Sequence, residues 1–127
     1  MQQETDAEFT VELQPAGPEL DGTGRFDLTK TWTGGMAGMS RGVMLSAGDP
    51  AAGSAGYVAI ERFDGALDGR EGSCVLLQLG TMAGDDQVLR YVIAPGSGTQ
   101  GLTGVTGTVD LTVAEGRHRV RVRYSVP

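Results

Sequence analysis

The sequence predicts an all-β protein, a closed eight-stranded antiparallel barrel, and three observations carry that expectation. Apolar and polar residues alternate with a period of two through most of the chain. The segments between the alternating runs are clusters of Gly, Pro, Asp and Ser: PAGPELDG, SAGDPAAGS, DG, AGDD, PGSGTQG and AEG. None of these intervals has room for a crossover helix, so neighbouring strands run antiparallel. Closure is favoured because short strands in a small domain lose their exposed edges only in a barrel; a sandwich is the alternative.

The elements follow in order. Alternation places strands at Phe9–Leu13, Phe26–Trp32 and Arg117–Val126. Apolar runs bounded by turn residues add Tyr57–Phe63, Cys74–Leu79 and Val88–Ala94. Ala37–Leu45 and Val105–Val113 complete the eight. The Met and Ala content of Ala37–Leu45 suits a helix, but Gly34, Gly35, Gly38 and Gly42 argue against one.

Composition bounds the function. The chain has 127 residues, enough for one core and too few for two, so one domain spanning 1–127 is expected. Ten basic against 16 acidic residues leave a net charge of -6, which disfavours duplex nucleic acid or an anionic membrane as partner. One Cys forbids an internal disulfide, and one Cys with one His makes a zinc site improbable. Without any Asn there is no N-glycosylation acceptor. The acidic start MQQETDAEF lacks an apolar stretch behind it, and no apolar run reaches membrane-spanning length. The expectation is a soluble cytoplasmic protein that uses no cofactor and no metal.

Asp68-Gly69 is the strongest two-residue hairpin signal. With Leu67 opposite Arg70, Phe63 faces Cys74, Glu61 faces Leu76 and Ala59 faces Gln78. One face then carries Tyr57, Ala59, Glu61, Phe63, Cys74, Leu76 and Gln78. The other carries Val58, Ile60, Arg62, Val75, Leu77 and Leu79. Both faces are too apolar for water, so one should line the lumen and the other lie under a loop, the N-terminal segment or a second subunit, giving a homo-oligomer, dimer or higher. In the last strand Arg117, Arg119, Arg121 and Arg123 alternate with His118, Val120, Val122 and Tyr124, which sends His118 and Tyr124 inward. Phe26, Leu28, Lys30 and Trp32 share a face, so the only lysine stands in an apolar stripe.

From Lys30 onward the motifs KTWTGGMAGMSRGVMLSAG, GSAGYVAIERFDGALDGREGS, LGTM, PGSGTQGLTG and EGRHRVRVRYSV resemble a bacterial family of unknown function assigned to the allene-oxide-cyclase-like barrels. The resemblance covers about three-quarters of the chain, to about Val126, and implies an eight-stranded barrel with a central cavity, commonly an oligomer, with no established activity. It also implies Glu where this chain has Val43, and a Gln-His pair where it has Gln78-Leu79. Those departures suggest an interior made more apolar, with Lys30, Glu61 and His118 remaining.

GSGTQG at Gly96–Gly101 matches the dinucleotide fingerprint by letter, but LTGVTGTV follows where a helix N-terminus is needed, so the segment reads as a loop between strands. Lys30 and Glu61 form a buried pair if both face the lumen, since either alone would be costly there; otherwise Lys30 snorkels to the rim and Glu61 faces solvent. His118 is a core residue or the one group suited to proton transfer near neutrality. Cys74 is a small buried hydrophobe unless a base stands beside it. The candidate catalytic set is Glu61, His118 and Lys30. The candidate ligand-binding set is Tyr57, Cys74, Gln78, Tyr124, Trp32 and Met44, since Met adapts to irregular apolar ligands.

Three functions fit. The first is a cofactor-independent cyclase or isomerase that folds a hydrophobic, polyketide-like or lipid-like metabolite in a shaped cavity and donates a proton to it. The second is a non-catalytic carrier of such a small molecule. The third is a structural barrel filled by its own side chains, which an internal volume near 300 Å³ or more, roughly the lower end for ligand pockets, would exclude.

Overall fold

The computed structural model describes residues 2–127. The strands are β1 (Gln3–Ala16), β2 (Thr23–Gly34), β3 (Met36–Asp49), β4 (Ser54–Leu67), β5 (Arg70–Ala83), β6 (Asp86–Ile93), β7 (Thr106–Ala114) and β8 (Arg117–Ser125). Each pairs antiparallel with the next, and β8 returns to β1 to close the barrel. All eight expected strands form. They run longer than the alternating segments because ladder pairing continues through glycines, as at Gly38 opposite Gly65 and Gly65 opposite Gly72.

The Asp68-Gly69 turn sets the register of β4 against β5 without a bulge: Leu67 opposes Arg70, Phe63 opposes Cys74, and Glu61 opposes Leu76. Asp68 and Gly69 both have positive φ, 49° and 83°, the geometry that matches the right-handed twist of a hairpin. Tyr57, Ala59, Glu61, Phe63, Cys74, Leu76 and Gln78 consequently face the lumen. Phe9, Trp32, Phe63, Leu76, Ile93 and Val122 fill much of it.

One end of the barrel is sealed. Tyr124 donates its hydroxyl to Asp68 Oδ2 (2.5 Å), and Thr5 donates to Asp68 Oδ1 (2.7 Å), tying β8 and β1 to the hairpin tip. The GSGTQG segment folds beneath β5: Ser73 N–H donates to Thr99 Oγ1 (3.1 Å) and Val75 N–H to Ser97 Oγ (2.9 Å). A three-residue 3-10 turn, Gln100–Leu102, follows in place of a helix, and Leu102 and Val105 plug the barrel with no exposure. The loop reading of the dinucleotide-like motif holds.

The outside divides in two. On β8 the arginines meet acids of β1 and β7: Arg117 with Glu8 (2.8 Å), Arg121 with Asp6 (2.9 Å), Arg123 with Glu4 (3.0 Å) and with Asp110. Exposed pairs of this kind each add little stability. On β3 to β6 the outer face is apolar. Val58 and Ile60 are about half exposed, at 48% and 53%, beside Leu45, Leu77 and Leu79. Neither a loop nor the described N-terminal segment covers it. Val43 and Leu79 lie on this outer face, in register with Ile60 and Val58. The expectation that the departures thin a polar interior is therefore corrected for these two, which strand phase turns away from the lumen, whereas Gln78, the other member of the Gln78-Leu79 pair, faces it.

Position 98 tests the seal. A Cβ there would stand 1.8 Å from the Leu102 carbonyl oxygen, whereas one on Gly69 meets nothing within 4 Å. Gly69→Ala should cost only the left-handed backbone penalty, about 1–2 kcal/mol. Gly98→Ala should cost clearly more, because the loop must move off the barrel end. Thermal denaturation of the two variants checks the order, and equal losses would contradict the packing described.

Candidate functional site

Four strands send polar side chains to one level of the lumen. Inward positions two residues apart run down β2 as Phe26, Leu28 and Lys30, down β3 as Met44, Gly42 and Ser40, and down β4 as Tyr57, Ala59 and Glu61, while β6 supplies Tyr91. Lys30 and Glu61 are 4% and 2% exposed. Lys30 Nζ donates to Glu61 Oε1 (2.9 Å) and to the Tyr91 hydroxyl (3.0 Å). Tyr91 donates in turn to Glu61 Oε1, and Ser40 donates to Glu61 Oε2 (2.6 Å). Trp32 Nε1–H donates to Ser40 Oγ (3.0 Å). The rest of the ammonium faces aromatic surface, 4.3 Å from the Phe9 ring centre and 4.9 Å from that of Tyr91.

This is the buried alternative for Lys30 and Glu61. A lone ammonium or carboxylate here would be strongly disfavoured, and three donors converging on Glu61 offset its desolvation. Burial pulls the Lys30 pKa below its ordinary value, and the Glu61 charge opposes that pull. Tyr91 is pushed far up, first by burial and then by the Glu61 charge, so its hydroxyl keeps its proton. Gly42 stands opposite Glu61, where any Cβ would lie 2.0 Å from the Ile60 carbonyl oxygen. A larger residue there would force the two strands apart beside the carboxylate.

Above the cluster lies a cavity of about 800 Å³ at the open end of the barrel. Its walls include Phe26, Met44, Tyr57, Met82, Leu89 and Leu111. The Tyr57 ring lies over Gly80, its cross-strand partner, with ring carbon Cε1 only 2.4 Å from where a Cβ would be. Gln78 Nε2 donates to the Tyr57 hydroxyl (2.6 Å), fixing that ring at the cavity wall.

The candidate residues thus separate into groups. Lys30 and Glu61 meet, and Tyr57 and Met44 line the cavity with Gln78 behind Tyr57. His118 does not join the ion pair; it stacks on Phe9 with centroids 5.0 Å apart, partly buried. Cys74 is buried, and burial together with the Glu61 charge pushes its thiol up to about 11, so it is not a thiolate near neutrality. Trp32 is core and Tyr124 belongs to the sealed end. Tyr91 and Ser40 were missed from sequence. A buried Tyr hydroxyl in an apolar strand needs a partner, and that was the available signal. Among the described residues no group of three or more His, Cys, Asp or Glu side chains converges as a metal site, and no helix is long and apolar enough to cross a membrane.

Fold and site together define a closed eight-stranded barrel, sealed at one end, with an internally satisfied ion pair under an apolar cavity. Residues 5–124 match a protein family of unknown function, DUF3224, and the chain belongs to that family. It is similar to the crystal structure, at 1.84 Å resolution, of a DUF3224 protein of unknown function from Shewanella oneidensis MR-1. The two share 36% identity and a TM-score of 0.92, over 100% of this chain and 98% of that one. Among curated proteins, none matches.

Two measurements probe the cluster. Lys30→Met leaves a buried carboxylate without its cation and should cost about 3–5 kcal/mol. Adding Glu61→Gln should recover much of that loss, read as a coupling energy in a double-mutant cycle; strictly additive effects would contradict the ion pair.

The second is alkaline titration. All three tyrosines are raised: Tyr57 and Tyr91 by burial, Tyr124 to about 12 by burial and the Asp68 hydrogen bond. Groups with raised folded pKa stabilise the fold below about pH 10 and lose that contribution as pH climbs through the folded value. Cys74, also raised, acts with the tyrosines, and Lys30, being lowered, acts in the opposite sense, one group against four. Stability should therefore fall above about pH 10, and the native protein should show little phenolate absorbance where the unfolded chain is about half ionised. Ordinary titration of even one tyrosine in the native protein would contradict this.

Proposed function

We propose that this protein binds a small, mainly apolar molecule in the cavity at the open end of its barrel. The cavity volume carries this reading: about 800 Å³, at the open end above the filled part of the lumen, falls in the upper part of the range for small-molecule sites, roughly 300–1,000 Å³. Met44 and Met82 give the wall an adaptable surface, while Tyr57 offers a hydroxyl to a polar end of the ligand. A second reading, cofactor-independent cyclisation or isomerisation of the same ligand class, as in allene-oxide-cyclase-like barrels, is favoured by Tyr91. Its protonated hydroxyl sits between a carboxylate and an ammonium, where it can donate a hydrogen bond to the carbonyl oxygen of a substrate that displaces one of them. Under that reading Glu61→Gln lowers turnover by about 10²-fold or more while ligand binding persists.

N-phenyl-1-naphthylamine, an apolar fluorescent probe, tests the binding claim. It should bind with enhanced emission. Met44→Arg should weaken it by about tenfold or more, the effect of a charge placed in an apolar wall. Leu79→Ser on the outer face should leave binding unchanged. Loss in the outer-face variant alone would overturn the assignment. Native mass spectrometry of protein purified from its own host then identifies the ligand.

We infer also that the outer apolar face of β3 to β6 is covered by a second copy of the chain. The exposed surface of 7457 Å² exceeds by roughly 1,000 Å² what the scaling rule gives for a compact 13.2 kDa monomer. A standard interface hides about 800 Å² per partner. Sedimentation at micromolar concentration should report a dimer or larger species, and Ile60→Glu should shift it toward the monomer. A 13.2 kDa species for the unaltered protein would overturn the inference.

A further inference from the structure

The barrel is not closed evenly. β4 and β5 pair from Ser54–Ala83 to Leu67–Arg70, and β7 and β8 from Thr106–Ser125 to Ala114–Arg117. Between β6 and β7 only Val92–Thr108 and Ile93–Gly107 pair, both at the sealed side. From there to the open end, Asp86–Tyr91 and Val109–Ala114 run beside one another without a ladder. Each strand is fully used on its other side, β6 by β5 and β7 by β8. The seam is thus two open strand edges whose backbone N–H and C=O groups are not paired with each other above Tyr91.

The cavity lies across this seam. Gln87, Val88 and Leu89 of β6 and Leu111 and Val113 of β7 all line it. Val88 and Val113 are about half exposed, so apolar surface continues from the cavity out through the gap. Counting back from Val92–Thr108, Leu89 stands opposite Leu111. The unpaired stretch ends at Tyr91, whose hydroxyl is bonded to Lys30 and Glu61. Widening any other seam breaks many ladder hydrogen bonds; widening this one breaks none above Tyr91.

We infer that the β6–β7 seam extends the open end of the cavity into a side entrance, and that the ligand is a slender apolar molecule carrying a carbonyl or amide group. It passes sideways between Leu89 and Leu111, and its polar group takes backbone partners on the open edges. The inference rests on the binding reading above and adds the route and the shape of ligand that route admits.

Closing the seam covalently tests it. A Leu89→Cys, Leu111→Cys double variant is bridged with dibromobimane, intact mass confirming the link, and N-phenyl-1-naphthylamine association and dissociation are followed by stopped flow. The bridged protein should exchange probe at least tenfold more slowly in both directions, with its equilibrium affinity changed much less. The unbridged double variant, whose cavity wall is already altered, is the reference against which both rates of the bridged protein are read. Leu111→Gly, which needs no bridge, should speed exchange. Unchanged rates in the bridged protein and in Leu111→Gly would overturn the inference while leaving the binding reading intact. Absence of probe binding to the unaltered protein would remove both.

Discussion

An ammonium at the centre of a small barrel needs a carboxylate within hydrogen-bond distance, and most of this structure can be followed outward from that requirement. Lys30 is the chain's only lysine, and it lies on β2 in a stripe that includes Leu28 and Trp32. Glu61, one strand beyond the neighbouring β3, supplies the charge. The pair leaves further polar valences, and each finds a partner: Tyr91 and Ser40 on the carboxylate, Trp32 on Ser40, the Phe9 face on the ammonium. Burial at low dielectric makes such a network costly when incomplete and specific when complete. It selects the register of β2, β3, β4 and β6 together, because a slip of one residue would turn a member outward.

The network also divides the lumen. Beneath it aromatic and aliphatic side chains, the Tyr124–Asp68 bond and the glycine-rich loop fill and seal the barrel. Above it the walls turn to Met44, Tyr57 and Met82, with Gly56 and Gly80 among them, and a cavity remains. Tyr91 belongs to both halves. Its hydroxyl completes the ion pair, while its backbone marks the point where the β6–β7 ladder gives out. A molecule lodged in the cavity, against Leu89, would therefore lie two residues along β6 from the residue that links the charged layer to the open seam.

Much of this was legible because it is local. The two-residue turn at Asp68-Gly69 dictates the β4–β5 register, and alternation then places Glu61 on the same side as Phe63 and Cys74. The desolvation argument links Glu61 to Lys30 without any structure. Tyr91 and Ser40 escaped because their strands are continuously apolar or glycine-rich, where a period of two is faint. Tyr124 was rightly turned inward, but which end it occupies depends on the stagger of the closed barrel. The open seam was invisible for a related reason: β6 and β7 are joined by a long loop, and no local signal sets how far they pair. Val43 and Leu79 show the opposite failure. Family resemblance suggested an interior role, while their own phase, shared with Ile60 and Val58, already pointed outward.

The single lysine makes the central claim directly measurable. With ¹⁵N-labelled protein, the side-chain ammonium of Lys30 gives one resonance free of overlap from other lysines. A charged, buried and hydrogen-bonded ammonium should appear at neutral pH as a slowly exchanging NH₃⁺ signal, with scalar or nuclear Overhauser contacts to the Tyr91 and Phe9 rings. The signal should collapse or shift in Glu61→Gln. A rapidly exchanging ammonium, or a neutral amine at neutral pH in the unaltered protein, would contradict the ion pair from which the rest of the account is built.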